Sequence, residues 1–527
     1  MRNGIKILVA AIITTMVITS CSKDLNLKPK NDITSDVAYA TPAGYKNVLA
    51  KVYGSFAQTG NSGSGSGDLG GIDPGTSDFF RLFWGAQELS TDEAVCAWLN
   101  DPGVGEIDQM TWSSGNLMLR GLYTRSLYQI TLANEFIRES TPEKLSGRGI
   151  TGADATEIGY YTAEARFLRA FQYWVLLDLY ANPPFITEND GVGKFFPERI
   201  TRPELFNYVE SELKAVEGLL KDARTNEYPR ADKAAAWALL ARLYLNAEVY
   251  TGTGKYSDAV TYAKKVIDEG GYSLYGDYKN LFLADNNEAN PETIFAIAYD
   301  GVQTQNYGGA TYLINAAISG AMTPANYGIP SGGWGGNRSR QNLPNLFTNA
   351  NDKRAMFSGN KKEVEDLTLF TDGFAVTKFK NITKSGATAP SIGGVYCSMD
   401  MPLFRLAEQY LIYIEAVERG GSGGSEGQAL TYFNALRARA YGNTFGNISA
   451  GNLTLDMIID ERGRELYWEG FRRTDLVRFG RYTSGSYLWP YKGGVIGGRG
   501  MEDFRNIFPI PSADVIANPN LVQNPGY

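Results

Sequence analysis

Lys233-Ala234-Ala235-Ala236-Trp237-Ala238-Leu239-Leu240-Ala241-Arg242-Leu243-Tyr244-Leu245-Asn246-Ala247-Glu248-Val249 is the stretch that decides the fold. It is long, rich in Ala and Leu, and predicts a helix whose small residues let a neighbour approach closely. A glycine-bearing turn at 252–254 leads into residues 257–269. There Ala259, Val260, Ala263, Val266 and Ile267 share one helical face. Ser257-Asp258 is an N-cap signal, and Gly270-Gly271 marks the stop. A second pair has the same plan, with helices expected at 403–419 and 428–440 around a Gly-rich break. Upstream, residues 162–180 begin with Glu164, Arg166 and Arg169 and are almost wholly apolar from Phe171. This predicts a helix buried on most sides, ended by Asn182-Pro183-Pro184.

These patterns give a mainly α fold. Helix pairs of this length resemble tetratricopeptide units, although each pair taken alone reads equally well as a generic helical hairpin. Two blocks, about 60–115 and 300–400, are rich in Gly, Asn, Ser, Tyr and Pro. They read as loops with a few short strands, and loops of such length in a compact domain are commonly functional. The expected organisation is a single domain over 37–527 with these two insertions as the working surface.

Composition narrows the chemistry. The 527 residues include 57 acidic and 50 basic side chains, for a net charge of −7, and no histidine. An acidic balance argues against nucleic acid as a partner. Without histidine there is no Ser-His-Asp or Cys-His nucleophile, no His-ligated zinc and no imidazole proton shuttle. No metal site and no cofactor is read from the residues. Cys96 and Cys397 could form a disulfide in an exported chain, but two thiols so far apart make no framework.

The N-terminus is an address. Arg2 and Lys6 precede an apolar run from Ile7 to Ile18, too short to span a bilayer core of ~30 Å and suited to an export signal. Val17-Ile18-Thr19-Ser20-Cys21 resembles a bacterial lipobox. Residues 1–20 are therefore expected to be removed, Cys21 to carry the lipid, and 21–36 to form a tether.

The acidic and basic residues that look catalytic cluster late in the chain, in Glu461-Arg462-Gly463-Arg464-Glu465-Leu466-Tyr467-Trp468-Glu469-Gly470 and Arg472-Arg473-Thr474-Asp475-Leu476-Val477-Arg478. Their spacings favour framework pairs on a helix surface: Glu461 with Arg464, Glu469 with Arg473, and Asp475 with Arg478. Together with Ala163 to Ala170, Pro402 to Glu408, Phe508-Pro509-Ile510-Pro511 and the end Asn524-Pro525-Gly526-Tyr527, these motifs resemble the SusD/RagB family of outer-membrane glycan-binding lipoproteins. The resemblance runs from the lipobox to the last residue. It implies a tetratricopeptide-containing helical scaffold, a cell-surface location, no catalytic activity, and a partner: a SusC-like TonB-dependent transporter of the outer membrane.

Glu88 to Glu93, Arg230 to Ala235, and Asn306-Tyr307-Gly308-Gly309 look like the starch-binding type within that family. There, an arc of two tryptophans and a tyrosine follows the curve of an α-glucan. By local context the resemblance assigns these roles to Trp98, Trp334 and Tyr307, with Arg81 and Asp73 at the sugar hydroxyls. A further tryptophan of the pattern falls at Cys96, and its amide position falls at or beside Asp101, next to Asn100. The loop near Trp334 is also shorter than in starch binders. Starch, dextran and a fructan such as levan all remain open. Two other classes stand beside glycan capture: a glycoside hydrolase, which needs a pair of carboxylates no local motif singles out, and a tetratricopeptide adaptor, which would not need aromatic-bearing glycine-rich loops.

Overall fold

The computed structural model describes residues 34–193, 195–319 and 321–527. Cys21, the signal segment and the tether to residue 33 lie outside the described residues. Residues 35 and 36, expected in the tether, already belong to the short helix Ser35–Ala38. Thr41 then caps α1 (Pro42–Gly54) by accepting the Gly44 N–H at 3.1 Å, with proline where a helix has no donor to lose. Asp78 caps α2 (Phe79–Trp84) through the Arg81 N–H at 2.8 Å. The short strand β1 (Ala94–Cys96) follows.

Three long helices come next: α3 (Leu117–Glu139), α4 (Gly152–Leu179) and α5 (Arg202–Glu217). The expected buried helix at 162–180 is the second half of α4, which starts ten residues earlier on a more polar segment. Asp232 caps α6 (Lys233–Leu245) by accepting from Ala234 and Ala235 at 2.9 and 3.3 Å. Its partner α7 (Tyr256–Lys264) runs on as a π turn over Lys265–Glu269. Strand β2 (Thr293–Ile297), helix α8 (Gly309–Ala317) and strand β3 (Asn337–Ser339) cross the second loop-rich block. The chain then forms β4 (Met401–Arg405), α9 (Leu406–Glu418), α10 (Glu426–Tyr441), α11 (Leu455–Leu466) and α12 (Arg472–Arg478).

The helices stack in succession, α3 on α4, α4 on α5, α5 on α6, α6 on α7, α7 on α9 and α9 on α10. This is the tetratricopeptide-like scaffold the helix pairs predicted. One apolar core runs through it from Tyr39 to Leu521. Its aromatic centre joins Phe79, Phe171, Trp174 and Phe404, and the Arg242 guanidinium lies 4.1 Å over the Phe404 ring.

Several expectations need correction. The first residues of the helix expected at 403–419 are the strand β4, paired antiparallel with β2. The loop-rich blocks hold helices as well: α8 and α2, of nine and six residues, are too short for periodicity to mark them in the sequence. The late charged motifs do not lie on a surface. Glu461 and Arg464 pair at 2.8 Å and Asp475 and Arg478 at 2.8 Å, as expected, but all four are buried. Glu469 does not pair with Arg473. The turn after α11 carries it to Lys378 and Arg405, each at 2.7 Å, while Arg473 donates to the Asn506 carbonyl and stacks over Phe508. Arg405 also reaches Glu465 at 2.6 Å and Glu292 at 2.9 Å, and Arg354 bridges Glu461 and Glu465. This buried network ties α11 to β4 and to the loop before it. Cys96 and Cys397 are separate buried thiols.

Candidate functional site

The two loop-rich blocks meet where β1 pairs antiparallel with β3, Cys96 opposite Asn337. The ladder continues one bond further, from the Ala97 N–H to the Gly336 carbonyl at 2.9 Å, which puts Trp98 beside the chain at Gly336. Gly336 has φ +119°, and a Cβ there would stand 2.5 Å from the Trp98 indole nitrogen. Only glycine allows the ring to lie flat against this backbone. On the other side, the Trp334 N–H donates to the carbonyl of Asn315 at 2.8 Å, so Trp334 is carried by the C-terminal end of α8.

Tyr307 sits at the opposite end of α8. The turn that presents it is organised by Asp78, whose carboxylate accepts from Gly309 N–H at 2.9 Å, Asn306 Nδ2 at 3.1 Å and Tyr299 Oη at 3.3 Å. The same carboxylate caps the Arg81 N–H. One buried side chain therefore sets the positions of Arg81 and Tyr307. Burial pushes its carboxyl above the usual range despite these donors.

The result is an open cavity of about 720 Å³. Asp73, Arg81, Trp98, Asp101, Tyr307 and Trp334 all line it, six of the seven residues singled out in the sequence. Asn100 does not line it; it is exposed on the same turn as Asp101. The rings form a series: Trp98 to Trp334 at 6.4 Å with planes tilted 43°, Trp334 to Tyr307 at 6.1 Å tilted 53°, and Tyr307 to Tyr396 at 5.3 Å tilted 45°. Tyr307 is 43% exposed, whereas Tyr396 is buried behind it and its hydroxyl bonds Ser64 of the Gly-rich loop.

Arg81 pairs with neither of the carboxylates its sequence neighbourhood offers. Asp92 is taken by Arg472 at 2.7 Å, and Asp78 receives only the Arg81 backbone. The guanidinium lies over Tyr312 at 4.4 Å, and its Nε has no hydrogen-bond partner among the described residues. The side chain is buried but lines the cavity, so its guanidinium brings a positive charge to the wall. Asp73 accepts from the Thr76 N–H at 3.0 Å and keeps its second oxygen at the exposed rim. Sequence reasoning missed Asp78 as organiser, Tyr312 as the ring under Arg81, and the apolar wall of Ile72, Pro102 and Leu117. Asp78 carries a local N-cap signal, but its hold on the Tyr307 turn, like the contact of Tyr312 with Arg81, is made across more than 200 residues of chain.

Comparisons with known proteins identify the family. A model described as the SusD family matches residues 357–527, and one described as "Starch-binding associating with outer membrane" matches residues 116–245. The starch-binding protein SusD of Bacteroides thetaiotaomicron is 35% identical, over 97% of this chain and 96% of its own length. This chain belongs to the SusD family. Among solved SusD-like structures, a laminarin-binding SusD-like protein aligns at TM-score 0.69 and 23% identity, over 92% of this chain and 99% of that one. Surface glycan-binding protein A from Bacteroides thetaiotaomicron, in complex with laminarihexaose, aligns at TM-score 0.70 and 20% identity, over 92% and 99%. At these identities the two structures speak for the SusD fold alone.

Proposed function

We propose that this SusD-family protein captures a coiled glucan at the cell surface through the cavity between Trp98 and Tyr307, without cleaving it, and passes it to a SusC-like TonB-dependent transporter of the outer membrane. The tilted ring series carries the reading. A flat glycan ribbon calls for coplanar platforms, whereas a coiling chain turns each successive C–H face through an angle. Planes inclined by 43° and 53° suit the second. Arg81, Asp73 and Asp101 supply a donor and acceptors at the hydroxyl rim. The similarity to a starch-binding relative favours an α-1,4-glucan as the ligand. A β-1,3-glucan also coils, and the laminarin-binding neighbours make it the second reading.

Capture without chemistry is supported by where the perturbed carboxylates sit. Burial pushes Glu93 and Asp108 up to about 7 and raises Glu88 well above the usual carboxylate range, as a glycosidase acid would require. Yet Glu88 accepts the Gly470 and Phe471 N–H groups, Glu93 that of Trp468, and Asp108 that of Cys96; all three are buried and none lines the cavity. The raised carboxyl of Asp78 beneath the cavity is likewise buried and taken by its own donors. In this reading residues 1–20 are the export signal, Cys21 carries the lipid, and 37–527 form one glycan-binding domain.

Titration calorimetry with maltoheptaose, laminarihexaose, dextran and levan tests it, with reducing ends assayed in the same samples. Binding of one glucan that Trp98→Ala abolishes, with no new reducing ends, is the expected result. Binding indifferent to Trp98 would remove the site from the proposal, and sustained release of reducing sugar would replace capture by hydrolysis.

A further inference from the structure

A second cavity, of about 490 Å³, opens on another part of the molecule and shares no lining residue with the aromatic one. Lys279, Lys378, Lys380 and Lys384 all line it, over a floor that includes Met356 and Phe357, and no carboxylate is among the lining residues. In a chain of net charge −7 this is a local reversal of sign.

The four ammonium groups are not equally spoken for. Lys378 is buried and paired with Glu469 at 2.7 Å, so it belongs to the framework. Lys279 meets Asp277 at 3.0 Å, and Lys384 donates to the Glu288 carbonyl at 2.9 Å. Each ammonium has three N–H donors, so both retain capacity. Lys380 is half-buried and has no acceptor among the described residues; its nearest recorded contact is the Tyr327 ring at 5.4 Å. Partial burial and the charge of Lys279 both push its amine below the ordinary range, as expected for an ammonium with no carboxylate partner of its own beside another that has one. An apolar floor beneath such a group lowers the local dielectric and strengthens its hold on an anion.

We propose that this cavity binds a small oxyanion, the phosphate or carboxylate of a sugar derivative, with Lys380 as its counter-charge and Lys279 and Lys384 completing the contact. Lysine suits this role because its compact charge accepts any oxyanion geometry, where arginine would select a bidentate one. Met356 and Phe357 add apolar lining beside the charge.

Titration calorimetry of the purified protein with inorganic phosphate, glucuronate and neutral glucose tests the site, in buffer of low ionic strength. Saturable binding of phosphate, glucuronate or both, with none for glucose, is expected; which of the two binds identifies the source of the anion. Lys380→Gln should weaken that binding at least tenfold while leaving maltoheptaose or laminarihexaose binding unchanged. Lys380→Ala repeats the measurement should the amide fail to fold. Absence of heat for both anions up to about 10 mM, beyond the Kd of even a weak single-site complex, would overturn the proposal. So would wild-type anion affinity in a folded Lys380 variant.

Discussion

The guanidinium carbon of Arg81 lies 4.4 Å over the ring of Tyr312 and 6.0 Å from the ring of Trp98. Those two rings are themselves in edge contact, 6.0 Å apart, so the cation lies on the buried ring and beside the one that faces the cavity, on a helix whose start Asp78 caps through the Arg81 N–H.

Arg81→Ala is expected to weaken glucan binding about tenfold or more, the loss of a charged donor together with the support under Trp98. Arg81→Lys should recover little of it, because an ammonium cannot lie flat on the Tyr312 ring as a guanidinium does. Calorimetry on both variants decides the point; a lysine variant that binds like the parent would reduce the role of Arg81 to its charge.

The ring series predicts unequal costs. Trp98→Ala and Trp334→Ala should each cost on the order of 1–3 kcal/mol of binding, by analogy with base stacking on aromatic side chains. Tyr307→Phe keeps the platform and should cost much less. Because Trp98 and Trp334 are neighbours at 6.4 Å, the double alanine variant is expected to depart from additivity. Strict additivity would mean that the two rings hold separate parts of the ligand.

Acid should unfold the protein through its buried ion network. Arg439, Arg405 and Arg354 hold the Glu465 carboxyl down at about 2, against the penalty of burial. A carboxyl depressed in the folded state contributes stability in full above its unfolded pKa near 4.3. That contribution disappears as pH falls from there through about 2, and it is on the order of 3 kcal/mol. Glu465→Gln should therefore flatten the acid limb of a stability-against-pH curve. It should also lower stability at pH 7 by about 3–5 kcal/mol, because three arginines lose a buried partner. An unchanged acid limb in Glu465→Gln would assign acid sensitivity to other carboxylates.

The two thiols predict silence. Burial raises both Cys96 and Cys397 far above the ordinary thiol range, and they are unbonded. Native protein should not react with a thiol reagent such as Ellman's reagent until denatured, and reductant should leave its melting temperature unchanged. Prompt labelling of either cysteine in the native protein would contradict this burial.

The helical scaffold was legible in the chain because its signals are local. Alanine-rich periodicity over 233–249 and the Asn182-Pro183-Pro184 stop each act within a few residues, and the structure places helices there, the first ending at Leu245 with a short helix, Ala247–Thr251, beyond it. Helices α2 and α8 were hidden by their shortness, since six and nine residues hold too few turns for a periodic pattern to stand out. Glu469 and Arg473 show the same limit for charges: spacing predicts a pair only while the backbone stays helical, and the turn at Tyr467 to Gly470 ends that.

By itself, the sequence determined the mainly helical architecture, the exclusion of histidine chemistry and the residues for six positions around the cavity. Tertiary structure alone decided how those six converge. Trp98 and Trp334 are brought together by the β1–β3 ladder, and Arg81 and Tyr307 by the single carboxylate of Asp78. The reason is physical: residue type sets what a side chain can bind, whereas the angle between two rings is fixed by hydrogen bonds and packing between segments more than 200 residues apart.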